Sequence, residues 1–236
     1  MRVNHRALFW DFDQTLAYRP GMWGGALLSV LRDADPSTRV TREDLGPFVR
    51  QGFPWHTPEI PHPELNEPTD WWNHLERIFT RAFVGVGLPN ELACQLASRV
   101  KAQYLTPGGW VVFDDTRPAL TACHERGWRQ CILSNHVPEL PDLVGVLGLA
   151  DFFEDVISSA NVGYEKPRPE IFNLARSSAH HPPVAWMVGD SLEADVLGAE
   201  RAGLRGILVR GKDSRARHCS PDLKGVLGIV DPDPPG

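Results

Sequence analysis

An α/β fold, with a parallel sheet covered on both faces and one large helical insert, follows from three features of the sequence. The first segment, Ala7-Leu8-Phe9-Trp10-Asp11-Phe12-Asp13, is a continuous apolar run that ends in acidic residues, as in a strand buried on both faces. From Trp110 onward, short apolar strands alternate with helical patterns, the grammar of strand–helix–strand units. Between these two regions, from about Tyr18 to Thr106, apolar residues recur at helical spacing.

Each element has its own justification. In the insert, helical spacing marks residues 26–31, 71–79 and 91–104. The Pro-rich stretch 53–68 forbids a continuous helix before the middle one, and Thr69–Asp70 is the expected N-terminal cap of that helix. After the insert, Thr116 to Arg126 reads as a helix stopped by Gly127. A strand over 128–133 ends at Ser134-Asn135, and residues 138–149 are expected to be helical. Residues 155–158 form a short strand, 169–179 a helix, and 184–188 a strand ending at Gly189-Asp190. A helix over 192–202 is closed by Gly203, residues 206–209 make the final strand, and the tail 231–236 is expected to fray. The core is thus expected to comprise residues 1–17 and 107–236, with the insert at 18–106.

Composition narrows the function classes. The 236 residues are 42% hydrophobic and 23% charged, which excludes disordered and fibrous chains. A formal net charge of -6 gives no general nucleic-acid footprint, so an anionic ligand must be caught by a local positive site. Cys94, Cys123, Cys131 and Cys219 show no C-x-x-C spacing and no zinc cluster, and are expected to be small reduced core thiols. Only four apolar residues, Ala7 to Trp10, precede Asp11, short of the roughly 7–15 of a signal peptide. No run approaches the roughly 20 residues of a membrane span, so a cytoplasmic protein without membrane partners is expected.

Ligands of open parallel sheets bind beyond the carboxyl ends of the strands. Those ends, with their flanking loops, supply Asp11 and Asp13, Ser134 and Asn135, Lys166, and Asp190 followed by Asp195. Asp11 and Asp13 are two apart and, in extended geometry, face one side. Two such carboxylates repel unless a cation lies between them or one is protonated. With Asp190 they make a hard, all-oxygen site suited to Mg²⁺. A carboxylate nucleophile, a neighbouring carboxylic acid, Mg²⁺, a hydroxyl and a lysine together suit phosphoryl transfer through an aspartyl-phosphate. Asp195 alone could equally cap or salt-bridge its own helix.

In this order the residues resemble the haloacid dehalogenase (HAD) superfamily. Its D-x-D-x-T-L motif stands as Asp11-Phe12-Asp13-Gln14-Thr15-Leu16, and its Ser/Thr-Asn motif as Ser134-Asn135. The Lys-Pro motif is Lys166-Pro167, and the fourth is Gly189-Asp190-Ser191 with Asp195. Ala194 departs from the Asn that many relatives carry, without touching a catalytic position. The resemblance implies a Rossmann-like core with the first strand central and a C1-type helical cap. It implies Asp11 as nucleophile and Asp13 as general acid and base. It also implies Mg²⁺ on Asp11, the Asp13 carbonyl, Asp190 and Asp195, with Ser134, Asn135 and Lys166 on the phosphoryl oxygens. Thr15 would orient the first loop and is placed with the substrate-binding residues.

Within the superfamily, Asp13 argues against dehalogenation, which needs no acid on the leaving group. A phosphonatase would need a cap lysine, and the insert offers only Lys101. A phosphatase acting on a small phosphorylated metabolite is the default expectation. The alternatives are a sugar-phosphate mutase and a non-catalytic binding protein on the same fold. Leaving-group readers would come from Arg19, Trp23, His56, Trp71, Trp72, His74, Arg77 and Arg81, although Trp71-Trp72 on a helix more often packs in a core.

Overall fold

The computed structural model describes residues 6–231. The chain opens with β1 (Arg6–Trp10), and after a tight loop comes β2 (Ala17–Tyr18). Five α-helices follow: α1 (Met22–Ala34), α2 (Arg42–Val49), α3 (Pro68–Gly85), α4 (Asn90–Ala97) and α5 (Val100–Leu105). β3 (Val111–Val112) then pairs antiparallel with β2. The alternating region runs α6 (Thr116–Glu125), β4 (Arg129–Ser134), α7 (Leu140–Val146) and β5 (Asp155–Ser158). It continues through α8 (Ser159–Val162), α9 (Pro169–Ser178) and β6 (Val184–Gly189). A π-helical turn, Leu192–Leu197, leads into α10 (Gly198–Arg201), β7 (Arg205–Val209), β8 (Cys219–Ser220) and α11 (Val226–Val230).

The main sheet has the order β5-β4-β1-β6-β7-β8, and its pairings are parallel. The chain departs to opposite sides of β1, so the carboxyl end of β1 is the place where such a sheet opens a crevice. Alternate side chains of β1 serve two apolar layers. Leu8 and Trp10 join the larger layer, which continues into the insert, whereas Ala7 and Phe9 pack with Leu133, Phe172 and Met187 on the other face.

The insert has an aromatic interior, in which Trp23 stacks on Tyr104 with centroids 3.8 Å apart and planes 2° from parallel. Trp71 and Trp72 are buried there, as core packing predicts. The insert is tied to the core at Glu139, whose carboxylate accepts the Trp72 indole N–H at 3.0 and 3.1 Å and pairs with Lys101 at 2.6 Å. The Pro-rich stretch is tied as well, since the His62 N–H donates to the Gly163 carbonyl at 2.8 Å.

Several expectations are corrected. α3 begins at Pro68, not behind a Thr69–Asp70 cap, because proline's fixed φ and missing N–H suit the first helical position. β2, β3 and β8 are two-residue strands, too short to show periodicity. α2 was not expected, since Leu45 is its one buried residue and no apolar stripe marks it. The 138–149 helix shrinks to α7, and the 192–202 helix divides where its first turn widens around Asp195. Of the four thiols, Cys123 and Cys131 are buried, Cys219 is half-buried and Cys94 is exposed. Asp231 does not fray: it lies 3.3 Å from Arg6 and 3.7 Å from Arg126, and the rest of the expected tail lies outside the described residues. No helix among the described residues is long and apolar enough to cross a membrane.

Candidate active site

The loop after β1 is built to hold its acidic residues still. The Asp11 N–H donates to the Val188 carbonyl at 2.9 Å, extending the ladder one residue past the strand. The chain then turns back, with Gln14 at φ 59 and the Leu16 and Ala17 N–H groups both donating to the Phe12 carbonyl. Thr15 is fully buried, and its Oγ1 accepts the Asp190 N–H at 3.1 Å. Arg210 clamps the Thr15 carbonyl from the end of β7 through Nε at 3.0 Å and Nη2 at 2.8 Å. Asp115 holds Arg210 at 2.7 Å, and the guanidinium lies 3.5 Å above the Phe113 ring. Thr15 therefore positions the loop from beneath and does not line the cavity.

Three other parts of the chain gather around Asp11. Its Oδ1 accepts from Ser134 Oγ at 2.8 Å and from Lys166 Nζ at 2.7 Å. Lys166 also donates to Asp195 Oδ1 at 2.6 Å, and Asp195 Oδ2 accepts the Ser191 N–H at 2.9 Å. Asp195 thus makes the local contact at the start of its own helix, and its ion pair is with Lys166 from another part of the chain and not within that helix. A Cβ on residue 189 would collide with the Asp195 carboxylate, so glycine there is what lets this side chain tuck against the strand end. Asn135 brackets Lys166, its Nδ2 donating to the Lys166 carbonyl at 2.9 Å and its Oδ1 accepting the Lys166 N–H at 2.7 Å. The Asn135 side chain is committed to placing that lysine.

Burial raises the proton affinity of the acidic cluster. Asp13 is held well above the usual carboxylate range, first by desolvation and then by the charges of Asp11 and Asp190. Desolvation, then Asp11, likewise pushes Asp190 up to about 7. Asp195 is pushed up to about 6, mainly by desolvation. Burial pulls the Lys166 ammonium down, but Asp11 and Asp195 outweigh it and hold the group charged. Oxygens of Asp11, Asp190 and Asp195 lie within 4.8 Å of one another, and Asp13 Oδ1 is buried with no hydrogen-bond partner among the described residues. This hard oxygen donor set, with repulsion to be relieved, fits Mg²⁺.

These groups form the floor of a cavity of about 570 Å³. Its roof comes from the insert: Met22, Trp23, Val49, Trp55, His56 and Pro58. Of the leaving-group candidates, Trp23 and His56 line the cavity, whereas Trp71 and Trp72 lie in the insert core. Arg19 is buried with Nη2 on the Gln103 carbonyl at 3.1 Å, and His74 Nε2 lies 2.7 Å from the Gly52 carbonyl. Arg77 and Arg81 are exposed.

Comparison with known proteins identifies the family. The family model for haloacid dehalogenase-like hydrolases matches residues 5–203. The chain belongs to the haloacid dehalogenase-like hydrolases. It is 29% identical to the mouse haloacid dehalogenase-like hydrolase domain-containing protein 3 over 246 residues, covering 98% of this chain and 95% of the relative. It is 28% identical to glyceraldehyde 3-phosphate phosphatase of Methanothermobacter thermautotrophicus, covering 96% and 95% of the two chains. The fold matches the magnesium-bound crystal structure of the HAD-hydrolase YfnB from Bacillus subtilis with a TM-score of 0.70 at 19% identity, covering 96% and 98%.

Two features of the hydrolase were not found by reading strand ends. His136 is buried, its Nε2 lies 3.8 Å from Asp13 Oδ2, and its ring stands edge-on to Phe12. Burial pulls its pKa down to about 3, so the contact is between a neutral imidazole and a carboxyl group. The signal was its place directly after Ser134-Asn135. Arg210 had the same kind of signal, standing one residue past β7.

Proposed function

We propose that this hydrolase is a Mg²⁺-dependent phosphatase that cleaves small phosphate monoesters through an aspartyl-phosphate on Asp11. The observation that carries the reading is the unequal treatment of two neighbouring carboxyl groups. Asp11 Oδ1 accepts hydrogen bonds from Ser134 Oγ and Lys166 Nζ, while Asp13, two residues on, is pushed toward its protonated form by burial and by the neighbouring carboxylates. A carboxylate gripped by two donors beside a carboxyl group that keeps its proton suits a nucleophile and an acid. The phosphatase relative points the same way.

In this mechanism a carboxylate oxygen of Asp11 bonds to phosphorus as the bond to the leaving oxygen breaks, and Asp13 donates its proton to that oxygen. Asp13 then takes a proton from water, whose oxygen attacks phosphorus and releases phosphate, restoring Asp11. Lys166 and Ser134 bind the transferring phosphoryl group, and Asn135 and Thr15 keep Lys166 and Asp190 in register. Asp11, the Asp13 carbonyl, Asp190 and Asp195 would hold Mg²⁺, which supplies charge neutralisation at the phosphoryl oxygens. The test is release of nitrophenol from 4-nitrophenyl phosphate with Mg²⁺ and with excess chelator. Turnover that collapses on chelation is expected; rates that match in both conditions would refute the metal requirement.

A further inference from the structure

Apart from His56, the ionisable side chains of the cavity wall all come from the core, at Asp11, Asp13, Lys166, Asp190, Glu193 and Asp195. Lys166 is already shared between Asp11 and Asp195, and Glu193 pairs with Arg215 at 2.8 Å. None of the six roof residues carries a fixed charge. A carboxylate on the leaving group would therefore be pressed against Trp23 and Trp55 with no cation from the roof to offset its desolvation. Besides the indole N–H groups of Trp23 and Trp55, the roof's hydrogen-bonding side chain is His56. Its Nδ1 accepts the Phe53 N–H at 3.3 Å, which fixes the ring as the tautomer protonated on Nε2. The ring is held edge-on against Phe53 and Trp55, with centroids 5.5 and 6.3 Å away. Among the described residues, Nε2 has no hydrogen-bond partner.

We propose that the Trp23–Trp55 surface and His56 select monophosphate esters with an uncharged leaving group, one that offers an apolar face to the tryptophans and an acceptor to His56 Nε2–H. This substrate class rests on the phosphatase reading, and the two can fail separately. A competing geometry exists: Met22, Trp23 and Val49 also border a neighbouring hollow that contains Arg42 and Arg50. A leaving group long enough to reach those arginines would reverse the preference.

The test compares matched substrates with Mg²⁺ present: phenyl phosphate against 4-carboxyphenyl phosphate, and glyceraldehyde 3-phosphate against phosphoglycolate. The uncharged member of each pair is expected to have a kcat/KM at least ~10-fold higher. In His56→Phe, kcat/KM for glyceraldehyde 3-phosphate should fall about tenfold relative to phenyl phosphate, mostly through KM. His56→Asn, which keeps an acceptor for the Phe53 N–H, should show the same shift without disturbing the loop. Equal or faster turnover of the carboxylated members would overturn the substrate class and leave the phosphatase reading intact. A uniform change across substrates in both variants would remove His56 from selection, and no turnover of any monoester would overturn both readings.

Discussion

The floor of the cavity consists of aspartates and a lysine joined by side-chain contacts of 2.6 to 2.8 Å, whereas its roof is five apolar or aromatic side chains and one histidine. On the floor each charge is stationed by another part of the chain. Asn135 places Lys166, Gly189 admits Asp195, and Arg210 holds the loop that carries Asp11 and Asp13. On the roof, position comes from ring packing, which tolerates exchange. On the phosphatase reading, preorganised charges carry the chemistry, and a packed surface without charge can change its preference without disturbing them. Changes to the floor should act on rate in large steps, and changes between roof and floor should act gently.

Asp11→Asn should sharpen this contrast most. It removes the proposed nucleophile and almost no volume, so kcat should fall by at least ~10³-fold. Circular dichroism should show an unchanged fold, and retained turnover would take Asp11 out of the nucleophile role.

A smaller effect should appear in stability against pH. Asp190 and Asp195 hold their protons more tightly in the folded chain than in the unfolded one. Their contribution is therefore present at acid pH and lost as pH rises from the ordinary carboxylate range through about 6 to 7. The melting temperature of metal-free protein should drop by roughly 2–4 °C between about pH 5 and about pH 8. Mg²⁺ should restore it at the upper end by binding the folded state. A melting temperature that rises over this interval, or ignores Mg²⁺, would break the argument that the floor is under repulsion.

The smallest expected effect lies where insert and core meet. Trp72→Phe keeps the ring in the insert core and deletes the N–H to Glu139, which retains Lys101. Denaturant unfolding should report a loss of about 1 kcal/mol, with kcat nearly unchanged. A tenfold loss of kcat would mean that this contact also governs the floor.

The floor was legible in the sequence because its chemistry is compressed into strand ends. Asp11, Asp13, Ser134 and Asp190 are polar residues placed where buried apolar runs stop, Lys166 stands in the loop before the Pro169 helix, and that placement survives without coordinates. The central strand and the alternating helices were legible for the same reason. Thr15 and Asn135 were found, but their contacts were not, since both bond to other site residues across long stretches of chain. His56 stands among the leaving-group candidates by residue type alone and Trp55 does not, since both sit in a Pro-rich stretch whose path is set by its docking on the core. β2 and β3 were invisible, because two residues cannot display a period of two.

That short ribbon has a consequence for how the gene could be rearranged. Tyr18 faces Val111 across the β2–β3 pair, so residues 19–110 are, topologically, the loop of a β-hairpin. The chain leaves and re-enters the sheet layer at neighbouring points, and the six-stranded core is continuous without what lies between. A tight turn joining Tyr18 to Val111 would satisfy the same pairing. Foreign helices whose ends lie a strand's width apart could be spliced there, making the ribbon a socket into which new roofs can be grafted.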